Sequence, residues 1–248
     1  MTGRQDMADG EAPLRGIDRL LAGTGLLVRG AFHPAADDGV RALAGGRPAG
    51  TAVLVGNAGK AMWNAFRRDV PDLAGKNPLD DWVDAHLERA AAALGAEIVF
   101  ATRRPWPPIQ RWAMKAGGVH RSPIGILIHP GFGLWHVYRG AFLFADKLDL
   151  PAPGPMEPSP CDACAKKPCL TACPADAFTP GAFDMNACVD HVESPKGRAC
   201  TTGGCLARRA CPVGRAHAYV PEEGAFHMAA VVRTVRHWQA KGAAKPGP

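Results

Sequence analysis

The sequence predicts an α/β sandwich with a mixed or antiparallel sheet, followed by a small cysteine-rich unit. Apolar strand-like runs alternate with helical periodicity through residue 150. The proline-rich stretch from Pro151 to Pro160 then interrupts the chain. All eight cysteines follow between Cys161 and Cys211, a window of 51 residues, and the first 160 residues hold none. Strands alternating with helices and ending in a hairpin suit an α/β layer architecture, and a proline-rich stretch reads as a boundary. The expected organisation is a flexible tail over 1–16, a sheet domain over 17–152, a cysteine-rich domain over 153–240 and a flexible tail over 241–248.

Thr51-Ala-Val-Leu-Val-Gly56 reads as a buried strand leading into a helix over 58–68. Asn77-Pro78 opens the clearest helix, because Asn caps and Pro is tolerated at the first helical position. Leu79, Trp82, Val83, His86, Leu87, Ala90 and Leu94 recur at helical spacing, and Gly95 ends it. A strand follows over 97–101, then a short helix over 108–116 that stops at Gly117-Gly118. Ile124 to His129 and Leu134 to Phe144 read as two strands of a hairpin around Pro130-Gly131-Phe132-Gly133. Two glycine motifs are decoys. Gly56-Asn-Ala-Gly59-Lys60-Ala61 has two residues between the glycines where a phosphate loop needs four, and Ala61 replaces its Ser or Thr. Gly23-Thr-Gly25 lacks the third glycine of a dinucleotide fingerprint.

Composition narrows the class. With 47% hydrophobic and 21% charged residues over 248 positions, the chain buries a core and is not intrinsically disordered. No run of eighteen apolar residues occurs, so no transmembrane helix and no membrane partner are expected. Met1 to Gly16 carries Asp6, Asp9 and Glu11 and resembles neither a signal peptide nor a twin-arginine leader, so a cytoplasmic protein is expected. The formal charge of +6 is spread evenly, +3 over 1–150 and +3 over 151–248, without a basic stripe. No nucleic-acid partner is expected.

The cysteines point to chemistry. A disulfide framework suits a secreted chain, and structural thiols would be scattered through the core. The first four run Cys161-x2-Cys164-x4-Cys169-x3-Cys173-Pro174. The bacterial ferredoxin run is C-x2-C-x2-C-x3-C-P, with the fourth cysteine on the other cluster. Here the middle spacer is two residues longer, around Lys167-Pro168. The second four, Cys188, Cys200, Cys205 and Cys211-Pro212, again end in Cys-Pro. Four plus four matches two [4Fe–4S] clusters with exchanged ligands. Cys161, Cys164, Cys169 and Cys211 are assigned to one, and Cys173, Cys188, Cys200 and Cys205 to the other. The rival is a pair of four-cysteine zinc sites, which usually show two C-x2-C halves where this chain has one. Two oxidised clusters with eight thiolates would lower the formal charge to about +2. Lys166, Lys167, Lys196, Arg198, Arg208, Arg209 and Arg215 lie among the ligands and offset that negative charge.

The segment Gly125-Ile-Leu-Ile-His-Pro-Gly-Phe-Gly-Leu-Trp-His-Val-Tyr-Arg-Gly140 resembles the signature of the CblC-type cobalamin-processing proteins. Residues 51–66 resemble that family's first strand and helix, and 78–100 its long helix and next strand; the likeness spans roughly residues 25–152. It implies a flavin-nitroreductase-related fold that binds vitamin B12 with the dimethylbenzimidazole tail off cobalt. It also implies removal of the upper axial ligand, reductively for cyanide and by glutathione attack for alkyl groups. His129, Pro130, Gly131, Phe132, Gly133 and Trp135 would then approach the corrin and its tail, with His129 as a contact and not as an axial ligand. The family's glutathione-handling segment, rich in Arg and Trp, has no counterpart after Pro151. The cysteine order there resembles the cluster domain of epoxyqueuosine reductases, which also join clusters to a B12-binding fold.

The expected function is reductive removal of the upper ligand of cob(III)alamin with electrons from two [4Fe–4S] clusters fed by an external donor, a reductase or a ferredoxin- or flavodoxin-like carrier. No side-chain nucleophile is required and no catalytic residue is nominated. One alternative is a B12-dependent reductase of a small organic substrate that retains its cobalamin. Another is a non-enzymatic electron carrier or B12 chaperone. The resemblance leaves room for a flavin, and a homodimer is compatible with the chain.

Overall fold

The computed structural model describes residues 12–73, 75–152 and 157–242. Its contacts divide the chain into two compact units. One runs to Gly118 and resumes at Val137; the other comprises Val119–His136 and the chain from Glu157 onward. The segment 119–136 therefore packs with the cysteine-bearing unit.

The first unit opens with α1 (Ala12–Leu20) and β1 (Leu26–Phe32), then β2 (Thr51–Ala58), α2 (Ala61–Asp69), α3 (Pro78–Leu94), β3 (Glu97–Phe100) and α4 (Ile109–Ala116). In the second unit β4 (His120–Arg121) pairs antiparallel with β5 (Leu127–Ile128), and β6 (His136–Phe144) returns the chain to the first. The main sheet has the order β1-β2-β6-β3. β1 and β2 pair antiparallel from Leu26↔Asn57 to Phe32↔Ala52, and β3 and β6 from Glu97↔Leu143 to Phe100↔Gly140. This is the α/β architecture with antiparallel pairing that the sequence predicts.

The central strands explain their own position. Thr51 to Asn57 are all buried, as a near-continuous apolar run must be when both faces of a strand are covered. Helices supply the cover through large side chains: Trp63, Phe66 and Trp112 are almost fully buried. Trp63 meets Phe66 with ring centroids 5.6 Å apart, and Phe66 meets Trp82 at 5.9 Å. Helix α3 buries Leu79, Trp82, Val83, Leu87 and Ala90 and ends at Gly95 in the left-handed region. Asn77 stands at its N-cap but makes no side-chain cap bond; Pro78 and the acidic pair Asp80 and Asp81 carry the start.

Three expectations differ from the structure. Residues 119–136, expected within the sheet domain 17–152, group with the cysteine-bearing unit. Helix α1 begins at Ala12, inside the stretch 1–16 expected as a tail, because it places Ile17 in the core and leads into the buried Leu21. Residues 1–11 lie outside the described residues, as do 243–248 of the other expected tail. The hairpin expected from Ile124 to Phe144 closes only at its tip, where His129 and Gly133 form an antiparallel bridge with backbone hydrogen bonds of 2.9 and 2.8 Å. Leu127–Ile128 pairs with His120–Arg121 through a turn in which Gly125 N–H donates to the Ser122 carbonyl at 3.0 Å.

The second unit continues with α5 (Pro168–Thr171), the hairpin β7 (Phe178–Thr179) and β8 (Ala182–Phe183), then α6 (Met185–Glu193), α7 (Arg198–Gly203), α8 (Leu206–Arg209) and α9 (Pro221–Ala240). Asp184 caps α6, its Oδ1 accepting from the Asn186 and Ala187 N–H groups at 3.0 Å each.

In the first unit Asp38 ties the loop after β1 to α4. Its carboxylate accepts the Ala35 N–H at 2.6 Å and pairs with Lys115, while its carbonyl accepts Trp112 Nε1 at 2.8 Å. Burial raises the carboxyl's pKa, but Lys115 and the Ala35 N–H together hold it below its ordinary 3.8. A depressed carboxylate stabilises the fold above its unfolded pKa, and that contribution is lost as pH falls through the lower folded value. Asp38→Ala is expected to cost about 1–2 kcal/mol at pH 7. The difference from native should shrink below pH 3.8 in urea unfolding followed against pH. A difference independent of pH would contradict this account.

Candidate functional site

All eight thiols are free of disulfides. Cys169, Cys173, Cys200 and Cys211 are buried and the other four half-buried. They occupy two neighbourhoods. Cys169 and Cys211 lie among Ile124, Ile128 and Leu134, with Cys161 against them. Cys173 sits with Ala177 and Ala207, and Cys188 and Cys205 pack against it. Those two also pack on Cys200, Val192 and Met228. The electrostatic influence between thiols follows the same division. Cys161, Cys169 and Cys211 are acted on by members of their own four, Cys164 among them. Cys188, Cys200 and Cys205 are acted on by members of theirs, Cys173 among them.

Local backbone brings each group together. Cys164 N–H donates to the Cys161 carbonyl at 3.3 Å. Lys167, in the left-handed region at φ 38°, turns the chain into α5. Its Nζ reaches the carbonyls of Cys161 and Cys164 at 3.4 Å each. The longer spacer thus closes on itself through Lys167. Burial pushes the thiols of Cys161, Cys169, Cys200, Cys205 and Cys211 up. It takes Cys188 up to about 12, with Cys205 and Cys173 adding to the effect. Backbone N–H groups oppose it: Leu206 donates to Cys200, Ala207 and Arg208 to Cys205, and Val213 to Cys211.

A donor set of this kind fits a cationic iron–sulfur core. The core deprotonates its thiol ligands, and N–H donors to sulfur tune such centres. Among the described residues no group of three or more His, Cys, Asp or Glu side chains converges closely enough for a single metal ion. A four-iron cube spreads its thiolates over a wider tetrahedron than a single ion does.

The His129 loop lies in the same unit. His129 Nδ1 accepts the N–H groups of Gly131 at 3.0 Å and Phe132 at 3.2 Å. With that lone pair engaged, the neutral ring carries its proton on Nε2 and acts there as a donor. Gly133 has φ +58°, and a Cβ there would stand 2.0 Å from the Val213 carbonyl oxygen. Gly214 has φ +68°, and its Cβ would stand 2.3 Å from the Phe132 carbonyl carbon. The His129 loop and the loop after Cys211 therefore meet backbone to backbone, with room for glycine alone on both sides. Phe132 meets His217 edge-on at 4.9 Å and Trp135 meets Tyr219 at 5.3 Å. Arg208 lies over both Trp135 and Tyr219, 5.0 and 4.4 Å from the ring centroids. Its Nε donates to the Leu134 carbonyl at 3.0 Å. Pro130 is half-buried and Gly131 exposed at the tip.

Sequence reasoning missed several of these groups. Tyr219 was invisible, since only the fold brings it to Trp135; its hydroxyl and Trp135 Nε1 are both buried without a hydrogen-bond partner among the described residues. Arg208 registered only as one cation among several. In the first unit, Arg139 Nε donates to Asn57 Oδ1 at 3.2 Å, and its guanidinium lies 3.4 Å from Asp80. An Asn and an Arg inside apolar strand runs were the available signal for that buried polar pair.

No protein-family profile matches the chain, and no curated protein matches it by sequence. Among solved structures, the B12-trafficking protein CblC of C. elegans, a human MMACHC homologue, superposes with a TM-score of 0.54 at 16% identity, covering 94% of this chain and 97% of that one. Epoxyqueuosine reductase with an epoxyqueuosine-modified tRNA-Tyr stem loop gives 0.50 at 14% identity, covering 86% and 69%. A selenomethionine-labelled epoxyqueuosine reductase gives 0.45 at 16%, with the match spanning 54% of that chain. The first two matches show a shared fold.

The glycine contacts yield a paired test. Gly133→Ala should destabilise the protein by about 2–4 kcal/mol through strain and backbone collision. Gly131→Ala, whose Cβ would meet only the His129 ring at 3.6 Å, should stay within about 0.5 kcal/mol. Urea midpoints measure both; equal effects would contradict the packing described.

Proposed function

We propose that this chain binds cobalamin and reductively removes the upper axial ligand of cob(III)alamin, cyanide among such ligands. Two [4Fe–4S] centres, refilled by an external donor, would supply the electrons. Cys161, Cys164, Cys169 and Cys211 would hold one centre, and Cys173, Cys188, Cys200 and Cys205 the other. The observation that carries the reading is the union, in one compact unit, of eight thiols in two groups with the His129–Trp135 loop. The fold shared with a B12-trafficking protein supports the choice of substrate.

When bound, iron–sulfur clusters supply single electrons at low potential. The chain's own residues hold and tune the sites. N–H donors from Leu206, Ala207, Arg208 and Val213 stabilise negative sulfur. Lys167 fixes the Cys161–Cys164 turn from its carbonyl side. His129, Pro130, Gly131, Phe132, Gly133 and Trp135 form the proposed cobalamin-contacting segment. Pro130 and Gly131 offer the accessible backbone, and His129 Nε2–H is a donor. One electron entering the cobalt–ligand antibonding orbital of the substrate releases cyanide as the anion and leaves cob(II)alamin, the bond breaking being the corrinoid's own chemistry. No side chain serves as nucleophile.

A second reading is a reductase of an organic substrate that keeps its cobalamin bound, supported by the fold shared with epoxyqueuosine reductase. Cobalamin retained at one per chain through repeated turnover would favour it.

Anaerobic titration of the reduced, iron-reconstituted protein with cyanocobalamin tests the proposal. Native protein should give the base-off cob(II)alamin spectrum with cyanide release. Cys161→Ser and Cys173→Ser should each slow the reduction at least about tenfold while binding changes less than about threefold. Undiminished reduction in both variants would sink the mechanism.

A further inference from the structure

One surface of the second unit is not used by this reading. A groove of about 670 Å³ runs between α6 and α9. Its lining includes Val192, Met228 and Val232; Val192 and Met228 form one buried cluster with Cys200, against which Val232, Cys188 and Cys205 pack. The groove is thus one side chain away from the Cys173–Cys188–Cys200–Cys205 group. Arg198 and Arg233 line it, exposed, and Lys196 is exposed on the adjoining turn. None of the three makes an ion pair among the described residues. The acids nearby are already engaged: Arg236 binds Glu193 at 2.9 Å and Asp190 at 2.7 Å.

An apolar floor over buried thiols, with unneutralised cations at the rim, has the composition of a transient docking site for an acidic protein. Nucleic acid fits it less well. Recognition of a strand needs a basic track with aromatic side chains for stacking, and this groove has no aromatic lining residue.

We propose that the α6–α9 groove docks an acidic one-electron carrier protein, which presents carboxylates to Arg198 and Arg233 and an apolar edge to Val192 and Met228. The inference rests on the iron–sulfur reading above. In each encounter the carrier loses one electron and this chain gains it beside Cys200. Rim charges act mainly on the encounter, so the interaction is weakened by salt.

The test is binding of oxidised flavodoxin, as the acidic probe, to the iron-reconstituted protein. Affinity should fall at least about tenfold between about 20 and about 300 mM salt. At low salt it should fall at least about tenfold in the Arg198→Glu/Arg233→Glu double variant. Lys60→Glu, which reverses an exposed charge in the first unit, should leave it unchanged. Stopped-flow reduction should separate in the same way, slow with reduced flavodoxin in the double variant and unaltered with dithionite. Equal affinity in native and double-variant protein would overturn the proposal. So would tighter binding of an RNA stem-loop, lost in the same variant, which would assign the groove to nucleic acid. Iron content and visible absorption of each preparation are read separately. A preparation without iron refutes the underlying reading, whereas unchanged affinity at full iron refutes only the groove.

Discussion

The burial of neighbouring thiols in two groups is the constraint on which the second unit turns. Thiolates about 4–6 Å apart repel by about 3–4 kcal/mol per pair at an effective dielectric near 20. Burial raises the thiols further, as Cys188 shows. Four such groups are stable as ligands only around a cation, or as neutral thiols without one. The backbone supports the first state, the one proposed here. N–H groups of α8 and of the Cys211 loop point at sulfur, and basic side chains stand close by.

The same loops that present sulfur also support the His129 segment. Gly133 and Gly214 bring two backbones into contact. Arg208 joins them a second time, donating from its backbone to Cys205 and from its side chain to Leu134 while stacking on Trp135 and Tyr219. A change in the electronic or protonation state of the cysteine groups is thereby mechanically adjacent to the loop proposed to meet cobalamin. The first unit contributes a sheet whose central strands are buried on both faces and whose polar interior group, Asn57 with Arg139, is hydrogen-bonded.

Much of the fold was legible because it rests on local signals. The apolar run of β2, the periodic face of α3 and its Gly95 stop each follow from one short window of sequence. The expected hairpin was only partly right, for a related reason. Apolar runs state that a segment is buried, not which strand it pairs with: beyond the His129–Gly133 bridge, Leu127 and Ile128 pair with Arg121 and His120 instead of with the following strand. Helix α9 carried a usable signal, Pro221 followed by Glu222 and Glu223, which cysteine spacing overshadowed. Of the site, the cysteine pattern was readable as chemistry. Arg208 and Tyr219 were not, since their roles depend on contacts across more than seventy residues of sequence.

The central claim is that two four-thiol groups each hold a four-iron cluster. Mössbauer spectroscopy of protein reconstituted with iron-57 and sulfide tests it most directly. The account predicts about eight irons per chain, all in the quadrupole doublets of oxidised [4Fe–4S] centres. Iron held singly by four thiolates, or full occupancy by zinc with no sulfide-bearing iron, would contradict it.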